Sequence, residues 1–346
     1  MKYRKLIYAL FLPLLGCMET VDKEKEKSEL KEVKGQEIIF YNVENLFDYS
    51  DDPKTKDDAF LPRSKKRWTQ DRFNKKIEGI AQVITEIASD FPILVGLVEI
   101  ENKFCLDALI SSDLLKKGNY DYVHKDSKDA RGMDVSLLYR EEFLEVITEE
   151  FLELKLGAHV YSRDIVYVQF RLANGESLHV YVNHWPSRRE GRLSSEYKRM
   201  KAAELIRDHL DDLFERDENA KVLVMGDFND YPNNNSLVKG LKSDSILDQL
   251  DSAELFNLAY KMHSRGLGTY YFRREWGMLD QMLVSQALIK ADTGCAVDQE
   301  NFGIFDADWL LYSNSKNKHS RPNRTYGGNK YYGGYSDHLP IYIKLN

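Results

Sequence analysis

The chain has 346 residues, 42% hydrophobic and 30% charged, with 21 Tyr, 16 Phe and 4 Trp. This content supplies a large buried core and excludes a disordered or fibrous chain, while three cysteines exclude a disulfide-built scaffold. A formal net charge of −7 argues against sequence-blind coating of DNA, which needs a broadly basic surface, but leaves room for a local basic cleft.

Lys2, Arg4 and Lys5 precede an apolar run from Leu6 to Leu15. That run falls short of the roughly 20 residues needed to span a bilayer and suits the hydrophobic region of an export signal. It ends Leu14-Leu15-Gly16-Cys17, which resembles the lipobox of bacterial lipoproteins. The resemblance implies cleavage after residue 16, a lipid anchor on Cys17, and a place in the bacterial cell envelope, at the outer membrane or cell surface rather than free in the periplasm. Loss of the three leading cations then leaves 46 Lys and Arg against 56 Asp and Glu, a net charge of −10. Residues 18–36 carry 11 charges in 19 positions. With the anchor Cys, residues 17–36 therefore read as a charged tether that reaches on the order of 25 Å as a flexible coil.

Beyond the tether, short apolar runs alternate with helical ones. Strands are expected at Glu37–Tyr41, Ile93–Val98, Asp134–Tyr139, Ile165–Arg171, Ser177–Asn183, Lys221–Met225, Leu279–Val284 and Ile341–Leu345. Arg72–Ala88 and Ser194–Phe214 show helical spacing, with Ile77, Ile80, Ala81, Ile84 and Ile87 on one stripe. One α/β domain with layered sheets fits this order better than two independent domains. Cys105 reads as core, Cys295 carries no signal, and a bridge between them is left open.

The polar residues collect at strand ends. Asn42 and Glu44 follow IIFY, Glu99 follows ILVGLV, His184 follows HVYVN, and Asp227 and Asn229 follow KVLVMG. Asp280 opens DQMLV, and Asp337 and His338 precede PIYIKL. If the last two strands run antiparallel to the others, all these ends meet at one edge. They would form an acidic pocket with two histidines, suited to a divalent ion with oxygen ligands. Glu101, next to this set, reads as a solvated strand-end charge.

YNVENLF (41–47), VGLVEIEN (95–102), RGMDVSLLYR (131–140), VNHWPSR (182–188), GDFND (226–230), GMLDQMLVS (277–285) and SDHLP (336–340) resemble, in order, the motifs of the endonuclease/exonuclease/phosphatase superfamily. The resemblance implies a four-layer α/β sandwich over 37–346, with two mixed β-sheets face to face flanked by helices, and phosphoester hydrolysis dependent on Mg²⁺ or Mn²⁺, one ion or two. It makes Glu99 the principal metal carboxylate, with Asn42 and Asp337 beside it. Glu44, two residues after Asn42, shares its face if the strand continues and then serves a second ion. Asp227 would activate the attacking water, Asn229 would bind a phosphate oxygen, and His338, oriented by Asp280, would meet the phosphoryl group. His184 matches a position where some members place a leaving-group acid.

Arg131, Arg188, Arg189 and Arg273 fall in loops at these ends and read as phosphate contacts. Arg192, Arg274, Lys316, Lys318, Arg321 and Arg324 fall in the same loops. Tyr270, Tyr271, Phe272 and Trp276 suit base stacking or ordinary packing equally. TYGGNKYYGGY (325–335) reads as a mobile loop beside the site. The expected function is a phosphodiesterase or nuclease of low sequence specificity, with nucleic acid as a candidate substrate, no protein partner, and a monomeric state. The same site would serve a phosphatase of small molecules. It would also serve a phospholipid headgroup hydrolase, but no apolar hairpin directed at solvent is evident. A non-catalytic binding module would have been marked by loss of Glu99 or His338.

Overall fold

Two β-sheets lie face to face, and the computed structural model describes them through residues 29–88, 90–291, 294–313 and 320–346. The expected export signal, Cys17, Lys316 and Lys318 lie outside the described residues. One sheet has the order Gly303–Ile304, Ile341–Lys344, Glu37–Leu46, Leu94–Ile100, Asp134–Arg140, Tyr120–His124. The other runs Ser243–Asp244, Leu255–Asn257, Asp280–Ser285, Lys221–Asp227, Ser177–His184, Ile165–Arg171, Glu145–Leu152. Each mixes parallel and antiparallel neighbours.

The apolar residues sort into three layers of contact, and these define the sandwich. Phe40, Leu94 and Val98 from the first sheet meet Val168, Phe170, Val180, Val182 and Met225 from the second. On the outer face of the first sheet, Tyr41, Val95 and Leu97 pack on Phe73, Ile77, Ile80 and Ile84 of helix α1 (Gln70–Ile87) and on Cys105, Leu106 and Leu109 of α2 (Lys103–Ile110). On the far side, Tyr181, Val222 and Val224 pack on Ala203, Ile206 and Leu210 of α3 (Glu196–Arg216). Strands buried on both faces, such as LVGLVEI and KVLVMGD, have no polar alternation because neither face meets water. Cys105 and Cys295 are both buried and free, in different layers, so the bridge left open above does not form.

Where the expected tether meets the domain, the chain is not a free coil. Lys31 N donates to Glu142 O at 2.7 Å, and Val33 is buried in the layer between the sheets. The folded domain thus gathers in the last residues of the charged segment, because Val33 finds an apolar seat.

Gly226 sits where the Lys221–Asp227 strand crosses Asn183 of its parallel neighbour, and a Cβ there would stand 2.3 Å from Asn183 O. The clash is with backbone fixed in the sheet, so Gly226→Ala should destabilise the fold by about 1–3 kcal/mol. Urea unfolding checks this; an unchanged midpoint would contradict it.

Candidate active site

The strand directions bring the polar ends together. Lys221–Asp227 runs parallel to Ser177–His184 and antiparallel to Asp280–Ser285, so His184, Asp227 and Asp280 stand abreast in register. In the facing sheet Glu37–Leu46 is parallel to Leu94–Ile100 and antiparallel to Ile341–Lys344, which puts Asn42, Glu99 and the Asp337-His338 turn at one end. Ser336 ties these pieces together: its hydroxyl donates to Asn42 O at 2.7 Å and accepts from His338 N at 3.1 Å. The two sets meet where Asn42 Nδ2 donates to Asp227 Oδ2 at 3.1 Å.

These turns are locally strained. Glu44, Asn45, Glu99 and Asn229 all have positive φ, at 53°, 56°, 68° and 49°. Such backbone costs on the order of 1–3 kcal/mol per residue and persists where the surroundings fix it. The pairing of Glu37–Leu46 with its neighbour slips between Asn42 and Leu46. The strand therefore bulges at Glu44, and the simple alternation that placed Glu44 on the face of Asn42 does not hold.

Asp227, Asp280 and His338 offer ligand or proton-transfer atoms within 4.8 Å of one another. His338 Nδ1 lies 2.7 Å from Asp280 Oδ2, which also accepts from Thr269 Oγ1. His338 Nε2 faces Asp227 Oδ2 at 3.9 Å. Burial alone would lower the histidine's pKa, but the charge and hydrogen bond of Asp280, aided by Asp227, raise it to about 10. Asp227 moves up from the usual carboxylate range because burial and the Asp280 charge outweigh His338 and the Asn229 amide, which donates at 2.9 Å. A charged imidazolium beside a basic carboxylate is an acid–base pair.

His184 differs. Its Nε2 stands 3.6 Å from Asp227 Oδ2 and 4.0 Å from Glu99 Oε1, yet burial and the guanidinium charges of Arg163 and Arg131 hold its pKa well below the ordinary value. A neutral imidazole donates a hydrogen bond but carries no spare proton, so the resting state is not that of a leaving-group acid. Sequence reading missed the buried Arg163, which donates to Trp185 O at 2.7 Å and pairs with Asp129 at 3.3 Å. Trp185 O also receives Asn229 Nδ2 at 3.0 Å, leaving the second hydrogen of that amide uncommitted to it.

The oxygen donors divide by exposure. The side chains of Glu99 and Asp337 are 17% and 20% exposed, whereas that of Glu44 is 4% exposed. Glu99 Oε2 accepts from Asn45 N at 2.8 Å, and Asn42 Oδ1 accepts from Glu44 N at 3.0 Å. Two part-exposed carboxylates and an amide oxygen, with no thiolate among the described residues of the site, suit a hard divalent cation. Glu44 is instead claimed by the protein: Thr325 N donates to Oε2 at 2.6 Å and Tyr326 N to Oε1 at 3.4 Å. Glu101 is also not a solvated charge. It is buried, accepts from Asp48 N at 2.6 Å, and burial pushes it up to about 8.

The model of the Endonuclease/Exonuclease/phosphatase family matches residues 37–346. The chain belongs to this family. It is accordingly an enzyme acting on phosphoester bonds, in a family that typically uses divalent metals. Solved structures share the fold at low identity. Humanized TDP2 from D. rerio superposes with a TM-score of 0.55 at 15% identity, over 90% of this chain and 98% of that one. A mannosyl-6-phosphatase from Bacteroides thetaiotaomicron gives 0.53 at 15%, over 90% and 99%. The human Nocturnin catalytic domain with bound sulfate gives 0.52 at 13%, over 91% and 96%. The comparison with curated proteins returned no match.

Around this family's site the arginines part company. Arg189 is exposed, and its charge reaches both His184 and Tyr270. Arg131 is partly exposed and paired with Asp129 at 3.3 Å. Arg188 corrects the expectation of a phosphate contact: Asp230 at 2.9 Å, Asn234 at 3.0 Å, Asn229 O and the Tyr231 ring take up its guanidinium, making it a brace for the GDFND turn. Arg273 and Arg274 form the tip of a hairpin, Tyr270–Phe272 with Glu275–Gly277, both at positive φ.

That hairpin resolves the aromatic cluster. Tyr271 and Trp276 pack on each other at 5.2 Å, Tyr270 lies on His338 at 4.8 Å, and Phe272 is 58% exposed. One aromatic directed at solvent is therefore present beside the site, followed by two arginines. The Tyr/Gly stretch is a pinned wall, not a free loop, because buried Lys76 of α1 grips Thr325 Oγ1 at 2.6 Å and Tyr335 O, while Tyr335 packs on Trp309 at 4.9 Å.

Proposed function

We propose that the enzyme is a phosphodiesterase using Mg²⁺ or Mn²⁺, a nuclease of low sequence specificity held in the cell envelope by a lipid on Cys17. The observation that carries the chemistry is the meeting of Asp227, the Asp280–His338 pair and Glu99 at the shared end of both sheets. Asp227 Oδ2 takes the proton of the attacking water as its oxygen bonds to phosphorus and the bond from phosphorus to the leaving oxygen breaks. The charged His338 Nε2–H and the free hydrogen of Asn229 Nδ2 meet the phosphoryl oxygens, where negative charge grows. His184 Nε2–H stays on the imidazole and hydrogen-bonds the leaving oxygen, which departs with the bonding electron pair and is protonated by solvent. Glu99, Asn42 and Asp337 would hold the cation, which when bound neutralises charge on the phosphoryl and leaving oxygens. Phe272, Arg273, Arg274 and Arg189 form a cationic, aromatic rim that favours a polynucleotide over a small phosphate ester.

Incubation of the enzyme and an Asp227→Asn control with plasmid DNA, structured RNA, bis-(p-nitrophenyl) phosphate, phosphomonoesters and phospholipid vesicles tests the substrate. Cleavage of polynucleotide and diester by the native enzyme alone is expected. Turnover of monoesters alone would make it a phosphatase, and turnover of vesicles alone a headgroup hydrolase. Glu99→Gln should raise the Mg²⁺ concentration needed for half-maximal rate at least tenfold; an unchanged requirement would remove Glu99 from the ion site. For the anchor, Cys17→Ala should move the protein from the membrane to the soluble fraction, and persistence with membranes would contradict lipidation there.

A further inference from the structure

Arg324 lies between two of the carboxylates assigned to metal by resemblance. Its Nη2 is 2.6 Å from Asp337 Oδ2 and its Nε is 3.5 Å from Glu44 Oε1. The two acids belong to neighbouring strand ends of one sheet. A cation shared by two such carboxylates is the usual arrangement for a bridging metal ion; here a guanidinium bonds one and stands within ion-pair distance of the other.

Between Glu44 and Asp337 two cations of the chain already stand. Glu44 also lies in the field of the fully buried Lys76 ammonium and accepts two backbone amides. Lys76 and Arg324 therefore balance Glu44 and Asp337 in charge. Glu99 is the contrast: among the described residues no Lys or Arg reaches it within 4.0 Å, and the basic side chain at that range is His184.

We propose that Arg324 replaces a second divalent cation from within the chain, so that this site holds one ion, at Glu99, Asn42 and the remaining oxygen of Asp337. The proposal rests on the metal-dependent reading above. Arg324 is a positioning residue: it pins Asp337 and keeps the bulged Glu44 out of the coordination shell.

The test is a count of bound Mn²⁺ by the loss of the free-ion paramagnetic resonance signal, with the full chain. The native protein and Arg324→Lys should bind one ion. Arg324→Met, which keeps the stem and removes the charge, should bind two, and Arg324→Met with Glu44→Gln should return to one. Two ions of similar affinity on the native protein, or one ion on Arg324→Met with unchanged affinity, would overturn the proposal without touching the metal-dependent reading. No ion on the native protein would overturn both. The native count is decisive even if Arg324→Met folds poorly.

Discussion

Asp227→Asn lowers kcat by about 10²–10⁴-fold, the contribution of a positioned general base, and leaves KM within a fewfold of native. The substitution keeps shape and removes only the ability to take a proton. Asp227 is buried, receives Asn42 Nδ2 at 3.1 Å and the Asn229 amide at 2.9 Å, and stands abreast of His184 and Asp280. One donor–donor contact with Asn42 or Asn229 is introduced, at a cost of about 1–3 kcal/mol, offset by relief of repulsion from Asp280. The protein therefore stays folded while turnover collapses. Native-like turnover would strip Asp227 of its role.

The same cluster sets the pH profile. Turnover needs Asp227 ionised and His338 charged, so it appears as pH rises through the elevated Asp227 pKa and disappears as pH rises through that of His338, near 10. The Asp280 charge raises both groups. Asp280→Asn should therefore move both limbs of the kcat/KM profile to lower pH. A shift of one limb alone, or of either limb upward, would break the link.

Asp230→Ala costs about 3–5 kcal/mol, the penalty for stranding a buried charge, read as a lower urea midpoint at constant slope. Asp230 Oδ2 pairs with Arg199 Nε at 2.6 Å, and both side chains are shut away from water. Asp230 Oδ1 holds Arg188 at 2.9 Å, and Ser236 Oγ donates to Oδ2 at 2.7 Å. Truncation leaves Arg199 with only the Ser195 hydroxyl and the Arg192 and Pro186 carbonyls. Arg199→Met combined with Asp230→Leu should recover much of the loss, because no unpaired charge stays buried. A cost below 1 kcal/mol for Asp230→Ala would show that water reaches the arginine.

The eight strands expected from apolar runs all exist, most within two residues at either end, because a strand covered on both faces writes its burial directly into sequence. The edge strands Glu145–Leu152 and Tyr120–His124 were not legible: Glu149 and Glu150 face solvent along the first, as protected edges require. The convergence of candidate site residues was legible where one strand end delivers one chemical group, as with Glu99, Asp227 and His338. They were not where the role depends on a partner far along the chain. Arg188 looked like a phosphate contact because nothing local shows that Asp230 claims it, and Glu44 looked like a ligand because a bulge is invisible to alternation. Arg163, Lys76 and Arg199 sit in ordinary loop or helix contexts, and only tertiary contact buries them.

The most direct test of metal-dependent phosphodiester hydrolysis is the rate on bis-(p-nitrophenyl) phosphate after dialysis against EDTA, then after adding Mg²⁺ or Mn²⁺. Silence in EDTA and recovery with either ion is the expected result. Full activity in EDTA would contradict the assignment of Glu99, Asn42 and Asp337 to a working ion.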